Sequence, residues 1–228
     1  KYEKNKLEEQ LKYGDYKVIL FGAGSSGKTS IARSLLKNLI GKISPTIGTT
    51  KDITNYKIRI PILKRNINII DTPGLFEASR EGEEREKSTI IEATKSDLIL
   101  FVIDQDINKY ELYLIKKLSE LKKKIIIVLN KCDLRSDKQN NIIKENILSI
   151  TSTKQIQVSI VTTIASSMSL PNNLIESSKI IPEVSNLFRE IIETLDKNGE
   201  ELLADNILFR CNKLGLISKK VILEQRNS

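Results

Sequence analysis

The chain has 228 residues, of which 39% are hydrophobic and 29% charged, a composition typical of a globular α/β domain with a helical extension. It contains no histidine, which excludes His-based catalytic triads, histidine general bases and most zinc sites. Its two cysteines are too few for a disulfide framework, and its net charge of +8 is spread over mixed segments.

Strands and helices are predicted to alternate along the chain. Residues 1–15 read as a charged lead-in helix that ends at Gly14. Short apolar or alternating runs predict strands at 16–22, 54–62, 66–71, 97–104, 124–130 and 155–161. Helical spacing predicts helices at 30–40, 84–95, 108–121, 138–148, 183–196 and 199–225.

The apolar runs at 98–103 and 125–129 are nearly continuous, as expected for strands that helices cover on both faces. The predicted fold class is therefore α/β, with a doubly wound, mostly parallel sheet flanked by helices. A ligand site is expected beyond the carboxyl ends of the strands. We expect one domain over 16–197 and a C-terminal helical extension, or a linker to a further region, over 198–228.

The segment GAGSSGKT (22–29) matches the pattern G-x-x-x-x-G-K-[ST] between a predicted strand and a predicted helix. Glycines let consecutive N–H groups point into one concavity, and the helix adds its own free N–H groups. Lys28 can neutralise the β- and γ-phosphates, and Thr29 can offer its hydroxyl to Mg²⁺. The predicted phosphate-binding residues are Gly24, Ser25, Ser26, Gly27, Lys28, Thr29 and Ser30.

The base is indicated by NKCD (130–133), which follows the predicted strand 124–130. A carboxylate at Asp133 can accept hydrogen bonds from guanine N1–H and the exocyclic amine, a donor pair that adenine lacks. Lys131 can cover the base plane with its aliphatic stem, and Asn130 can brace neighbouring loops. A helix cap is the alternative for this segment, and an ATP-using P-loop kinase or motor-type ATPase is the alternative for the chain.

The segment DTPG (71–74) ends another predicted strand, although by itself it is an ordinary turn sequence. Between the other two motifs, Asp71 can hold Mg²⁺ through a water molecule. The N–H group of Gly74 can reach a γ-phosphate, a contact that is lost after hydrolysis.

Together with GTTKD (48–52), these motifs resemble the translation-factor-related class of GTPases, in particular the Era-like and tRNA-modification GTPases, over residues 16–196. The resemblance implies a P-loop NTPase G domain that binds GTP and GDP with Mg²⁺ and hydrolyses GTP as a switch. It implies that Lys28, Thr50 and Gly74 are catalytic and that Thr29, Thr50 and Asp71 hold the metal, with Thr49 as the alternative to Thr50. It also implies a backbone contact to guanine, for which Ser159 and Ile160 are the predicted match.

Two departures from this family pattern affect the expected activity. Leu75 follows DTPG where Ras-like proteins have the glutamine that orients the attacking water, so we expect slow intrinsic turnover. Ser25 stands where potassium-activated relatives have asparagine, which argues against potassium activation. Loops 42–52 and 71–86 are the expected switches. A nucleotide-dependent binding or scaffold module with negligible hydrolysis is the alternative.

The segment GEELLADNILFR (199–210) resembles cyanobacterial-type GTPases with a C-terminal domain of unknown function, some of which continue into membrane-associated helices. The alternative is a helix that packs back on the domain. The basic run 116–124 indicates a solvated helix face or, as the sharper hypothesis, a docking surface for RNA or anionic lipid. Candidate partners are a protein, the ribosome or its RNA, a membrane, and a second copy in a nucleotide-dependent dimer.

The location of the protein is inferred from composition alone. Cysteine usage and the absence of a long apolar run predict a cytoplasmic protein, peripheral to a membrane if apolar helices follow. Because the chain begins at Lys1 without Met, we expect it to be part of a longer protein. Its many Lys, Asn and Ile residues are typical of an AT-rich bacterial genome.

Overall fold

The computed structural model describes residues 5, 9, 13–39, 46–50, 53–75, 80–165 and 183–226. Its strands are β1 (Tyr16–Gly22), β2 (Thr46–Thr50), β3 (Ile53–Ile58), β4 (Ile67–Asp71), β5 (Leu98–Ile103), β6 (Lys124–Leu129) and β7 (Val158–Thr162). Its helices are α1 (Lys28–Leu39), α2 (Arg80–Thr94), α3 (Lys109–Glu120), α4 (Asp137–Thr153) and α5 (Ser185–Arg226). Two 3₁₀ turns cover Gly24–Ser26 and Cys132–Leu134.

The seven strands form one sheet in the order β2-β3-β4-β1-β5-β6-β7. Strand β1 lies between β4 and β5, and every neighbouring pair from β4 to β7 is parallel. Strands β2 and β3 are antiparallel and extend the sheet at one edge. The predicted doubly wound, mostly parallel sheet is confirmed, and the carboxyl ends of five strands meet at one edge.

Side chains on the central strands alternate between two apolar layers, which is why these strands read as continuous apolar runs. Val18 and Leu20 belong to the cluster that contains residues of α1 and α5. Ile19 and Phe21 belong to the opposite cluster, which contains residues of α2, α3 and α4. Because all four side chains are fully buried, β1 is fixed from both faces, and so is the loop that leaves its carboxyl end.

The structure corrects the prediction that all of 42–52 is a loop, because Thr46–Thr50 form a strand. Four of these five residues are β-branched, and the segment pairs with β3 along its whole length. The strand was not predicted because its mostly polar sequence lacks the apolar pattern by which strands are recognised. Residues 42–45, 51 and 52 lie outside the described residues. In the second predicted switch, 71–86, a helix begins at Arg80, and residues 76–79 are likewise not described.

The predicted helices 183–196 and 199–225 are one helix, α5, of 42 residues. The domain boundary expected at 197/198 therefore falls inside a continuous helix. Gly199 lies at the predicted interruption, and glycine is unfavourable in the interior of a helix. A Cβ at this position would lie 2.7 Å from Cζ of Tyr16, so the glycine permits close packing against β1.

Helix α5 packs back against the amino ends of the strands, as the alternative in the sequence analysis expected. Leu203 and Ile207 are buried in the cluster that contains Val18 and Leu20. The amide of Asn206 donates to Asp97 Oδ1 at 2.8 Å and accepts from Lys123 Nζ at 3.0 Å. Burial raises the pKa of Asp97 and lowers the pKa of Lys123 to about 8. The resemblance of residues 199–210 to cyanobacterial-type GTPases remains a prediction.

Within the described ranges, none of the helices has the length and apolarity that a bilayer-crossing segment requires.

A second contact fixes α5 near its midpoint and predicts a pH dependence of stability. Arg65 donates to both carboxylate oxygens of Glu200, at 2.7 and 2.9 Å, and the Tyr16 hydroxyl donates to Oε1 at 2.8 Å. The hydrogen bond from Arg65, supported by that from Tyr16, lowers the pKa of Glu200 from 4.5 to about 2. A lowered carboxyl pKa stabilises the fold above pH 4.5, and this contribution disappears as the pH falls toward 2.

We expect Glu200→Gln to lose about 1 kcal/mol of unfolding free energy at pH 7, a small value because the Glu200 side chain is 45% exposed. The variant should also show a flatter decline of stability between pH 5 and pH 2. Urea unfolding across this pH range measures both effects. Glu201→Gln, at an exposed neighbour on the same helix, is the matched control. Equal pH profiles for the two variants would contradict the role given to Glu200.

Candidate nucleotide-binding site

Three loops converge at the carboxyl edge of the sheet. The phosphate loop (residues 22–29) connects β1 to α1, the DTPG segment (71–74) follows β4, and the base loop (130–135) follows β6. The sequence predicted all three as neighbours because parallel strands end at the same edge. The structure confirms that their backbones meet there.

The phosphate loop turns sharply and then enters α1. Gly24–Ser26 form a 3₁₀ turn, and Gly27 has a φ of 94° in the left-handed region. The Ser26 hydroxyl donates to the Ala23 carbonyl at 2.8 Å and closes the turn. Helix α1 begins at Lys28, so the N–H groups of its first residues point out of the helix toward the loop. This concavity of N–H groups at a helix N-terminus is suited to an anion.

The Lys28 side chain lies along the phosphate loop. It is only 4% exposed, and its ammonium group donates to the carbonyls of Gly22 at 2.9 Å and Ala23 at 2.8 Å. A buried cation held by loop carbonyls carries its charge directly beneath the concavity. Thr29 and Ser30 follow in the first turn of the helix.

Thr29 and Asp71 form the polar pair that the sequence predicted for a metal. The Thr29 hydroxyl donates to Asp71 Oδ2 at 2.8 Å, across two elements that are 42 residues apart in the chain. Asp71 is 8% exposed, and burial raises its pKa while the Thr29 hydrogen bond and the Lys28 charge oppose the rise. Its second oxygen, Oδ1, is buried without a hydrogen-bond partner among the described residues. A hydroxyl and a carboxylate with an unsatisfied oxygen fit the ligand preference of Mg²⁺.

Gly74 packs directly against the phosphate loop. A Cβ at Gly74 would lie 2.1 Å from Cα of Gly24, so only glycine allows this approach. The next residue, Leu75, donates its N–H to the Gly22 carbonyl at 3.0 Å and is 1% exposed. The apolar residue that replaces the Ras-like glutamine is therefore part of the core.

The register of β2 brings the predicted switch threonines to the same edge of the sheet. Thr49 pairs with Thr54, and Thr54 pairs in turn with Asp71. The backbone of Thr49 thus lies two strands from Asp71, about 10 Å away at ordinary strand spacing. Thr50 pairs with Ile53 at the end of the hairpin. The choice between Thr49 and Thr50 as metal ligand remains a prediction, because the side chains of β2 are outside the described residues.

Asn130 connects the phosphate loop to the base loop, as predicted. Its side chain is buried, and Nδ2 donates to the Ser26 carbonyl at 2.9 Å. Its Oδ1 accepts from the Thr163 hydroxyl at 3.1 Å and from the Ala165 N–H at 3.2 Å. One side chain therefore fixes the relative positions of three loops.

The rest of the base loop places Lys131 and Asp133 beside this connection. Lys131 has a φ of 57°, and its ammonium group forms an ion pair with Asp104 Oδ2 at 2.6 Å. Asp104 directly follows β5, so the Lys131 stem extends along the edge of the sheet. Asp133 lies in the 3₁₀ turn 132–134 and is partly exposed, which leaves its carboxylate accessible to a ligand.

The structure corrects the prediction of Ser159 and Ile160 as guanine contacts. Both lie inside β7, paired with Ile126 and Ile127 of β6. Ser159 precedes the last residue of β7 by three positions, about 10 Å at the rise of a strand, and its hydroxyl is buried. The β7 loop (residues 163–165), which contacts Asn130, occupies the position that the prediction gave to Ser159 and Ile160.

Four residues at this edge were not predicted: Asp104, Arg135, Thr163 and Ala165. Thr163 and Ala165 could have been found by extending the β7 strand to its natural end, since four of the five residues of VSIVT (158–162) are β-branched. Asp104 directly follows an apolar strand, which is a usable signal. Arg135 carries no recognisable sequence signal, because its partners are two backbone carbonyls and an amide oxygen that only the folded loop brings within reach.

Comparison with known proteins places this geometry in a family. A sequence model described as 50S ribosome-binding GTPase matches residues 17–131. The chain is 31% identical over 212 residues to the GTPase Der of Campylobacter concisus, covering 89% of the chain and 44% of that relative. It thus spans less than half the length of this relative.

Two solved structures share the fold at low identity. Translation elongation factor SelB from Methanococcus maripaludis, in complex with the GTP analogue GppNHp, has 19% identity and a TM-score of 0.58, covering 81% of this chain and 34% of that one. Era, in complex with MgGDPNP and a segment of 16S ribosomal RNA, has 23% identity and a TM-score of 0.56, covering 80% and 56%. The Era-like resemblance is confirmed. The chain belongs to the family of 50S ribosome-binding GTPases.

Proposed function

We propose that this chain binds GTP and GDP and hydrolyses GTP to GDP and phosphate with Mg²⁺, by in-line attack of water on the γ-phosphate. The observation that carries the proposal is the position of Asn130. Its hydrogen bonds to Ser26, Thr163 and Ala165 hold a phosphate cradle and a base-reading loop at one edge of the sheet. A site built for phosphate alone would not require this connection.

The phosphate loop contributes binding and charge. The N–H groups over Gly24–Gly27 and the first turn of α1 receive the phosphate oxygens, with Ser25 and Ser26 in the cradle and Ser30 beyond it. The ammonium group of Lys28, buried beneath the loop, contacts the β- and γ-phosphates and neutralises part of their negative charge. Gly74 packs against Gly24, so its N–H is well placed to contact the γ-phosphate.

The base loop selects guanine. The Asp133 carboxylate accepts hydrogen bonds from N1–H and the exocyclic amine, and Lys131 covers one face of the base while Asp104 anchors its end. We propose the β7 loop, in place of Ser159 and Ile160, for the backbone contact to the base, because the Thr163 carbonyl accepts a hydrogen bond from the Cys132 N–H at 3.2 Å and so holds this loop beside the base loop.

Thr29 and Asp71 would hold Mg²⁺, and Thr50 would complete the ligand set, with Thr49 as the alternative. The metal would supply charge neutralisation at the phosphates. The unsatisfied Oδ1 of Asp71 supports the assignment, since a buried carboxylate oxygen without a hydrogen bond carries a cost that a cation relieves.

A second candidate function is a nucleotide-dependent binding module with negligible hydrolysis. It is favoured by Leu75, whose buried apolar side chain cannot orient a water molecule. Both functions use the same bound nucleotide, and they differ only in the fate of the γ-phosphate.

The partner class that we propose is ribosomal RNA or the ribosome. The name of the matched family refers to the 50S ribosome, and the Era structure contains 16S ribosomal RNA. Co-sedimentation with ribosomal subunits in the presence of GppNHp, GDP or no nucleotide tests this assignment. A protein partner, a membrane and a nucleotide-dependent dimer remain predictions.

We expect removal of Mg²⁺ to slow GTP hydrolysis strongly. We expect no ATP cleavage either with or without Mg²⁺. The metal supplies several kcal/mol of charge stabilisation, so single-turnover phosphate release from GTP should fall at least about a hundredfold with EDTA. Asp71→Asn should lose most of the Mg²⁺ dependence. ATP cleavage at the rate of GTP cleavage would contradict the guanine assignment, and absence of GTP cleavage with retained GTP binding would establish the second candidate.

A further inference from the structure

Arg135 holds the base loop through three separate hydrogen bonds. Its guanidinium donates from Nη1 to the Asp104 carbonyl at 2.5 Å, from Nη2 to the Asn130 carbonyl at 3.1 Å, and from Nε to Asn140 Oδ1 at 2.9 Å. The first two acceptors lie just beyond the carboxyl ends of β5 and β6, and the third lies in the first turn of α4. One planar side chain thus joins two strand ends and a helix.

Asn140 completes this arrangement from the other side of the loop. It is 5% exposed, and its Nδ2 donates to the Cys132 carbonyl at 2.9 Å. The carbonyls immediately before and after Lys131 are therefore both fixed, one by Arg135 and the other by Asn140. This matters because Lys131 has a φ of 57°, a left-handed conformation that a residue with a side chain adopts only at an energetic cost.

Asp104 is bound twice by the same loop. Its carbonyl accepts from Arg135, and its carboxylate accepts from Lys131 Nζ at 2.6 Å. The end of β5 therefore sets both the backbone path of the base loop and the direction of the Lys131 stem. Asp133, two residues before Arg135, lies inside the fixed segment.

We propose that Arg135, together with Asn140, is a positioning residue that aims Asp133 and Lys131 at the guanine base and thereby determines base selectivity. This inference rests on the proposed function, because it assigns a role within the guanine site. Arg135 acts through the loop and makes no contact with the nucleotide itself. Lysine cannot replace it, since a single ammonium group does not present a planar fork to three acceptors in different directions.

The test compares the dissociation constants of GDP and IDP, because inosine lacks the exocyclic amine that Asp133 is proposed to bind. We expect Arg135→Ala and Arg135→Lys to weaken GDP binding by about tenfold through misplacement of the carboxylate. IDP binding should change much less, so the dissociation constant of IDP divided by that of GDP should fall toward one. Lys138→Ala, at an exposed basic residue of α4, is the matched control and should leave both constants unchanged.

A role in stability alone would weaken GDP and IDP binding in parallel or leave both unchanged, and either outcome would overturn the proposal. If Arg135→Ala does not fold, Asn140→Asp provides the same test, because aspartate still accepts from Arg135 Nε but cannot donate to the Cys132 carbonyl. A wild-type chain that binds GDP no better than ADP would refute the proposed function itself. A wild-type chain that discriminates GDP from IDP, with variants that keep its ratio, would refute only the positioning role.

Discussion

Asp133→Asn is expected to exchange guanine preference for xanthine preference. The carboxylate accepts two hydrogen bonds from guanine, whereas the asparagine amide presents one acceptor and one donor, which match the N1–H and the 2-oxo group of xanthine. A site that leaves a buried polar group unpaired rejects the wrong base strongly, so we expect the GDP/XDP affinity ratio to change by about a thousandfold or more. Competition of GDP and XDP against a fluorescent nucleotide measures this ratio.

The control for this prediction is Asp137→Asn, at the exposed start of α4. It removes the same charge four residues away and should leave the ratio unchanged, which separates base recognition from a general loss of negative charge. A lower affinity of Asp133→Asn for both nucleotides, without a change in their ratio, would mean that Asp133 supports the loop and does not read the base.

The sequence predicted the phosphate cradle well because its chemistry is contiguous. Strand β1, the turn and the start of α1 form one uninterrupted segment, and buried strands on either side leave little freedom to the backbone. The apolar runs at 98–103 and 125–129 identified the central strands for the same reason, since burial on both faces requires a continuous apolar sequence. The convergence of the strand ends then followed from the parallel topology.

Contacts between distant segments could not be predicted. The bond between Asn130 and Ser26 spans 104 residues, and that between Arg135 and Asp104 spans 31 residues, so neither leaves a local pattern. The family resemblance indicates Ser159 only through the order of the motifs along the chain. The strand register decides its position instead, and it places Ser159 beside Ile126. The β2 strand was missed because an edge strand need not be apolar on either face.

Helix α5 shows how a local rule is overridden by packing. A glycine at residue 199 normally indicates a helix end, but here it admits the ring of Tyr16. The buried groups that follow, including Leu203 and Asn206, stabilise the helix enough to continue it through this position. The helix continues through Gly199 because the residues around it pack against the sheet, which the local sequence does not reveal.

Lys28→Ala is the second prediction with a large expected effect, on hydrolysis more than on folding. The wild-type side chain is 4% exposed and donates to two loop carbonyls, so its loss leaves those carbonyls without the cation and removes the positive charge beneath the γ-phosphate. Loss of one preorganised charge donor costs about a hundredfold to a thousandfold in the chemical step. Single-turnover GTP cleavage at saturating nucleotide measures this step separately from affinity.

Lys37→Ala, at an exposed lysine about two and a half turns further along the same helix, removes an equal charge without touching the loop and should cleave GTP at the wild-type rate. If the wild type cleaves GTP readily and Lys28→Ala cleaves it at the same rate, catalysis does not depend on Lys28, and the proposed mechanism is wrong. If the wild type and both variants all cleave GTP equally slowly while only Lys28→Ala loses affinity for the nucleotide, Lys28 contributes to binding alone. The slow cleavage is then explained by the buried Leu75, which cannot orient the attacking water. The chain then functions as a nucleotide sensor, and turnover depends on a partner that supplies the group orienting the water.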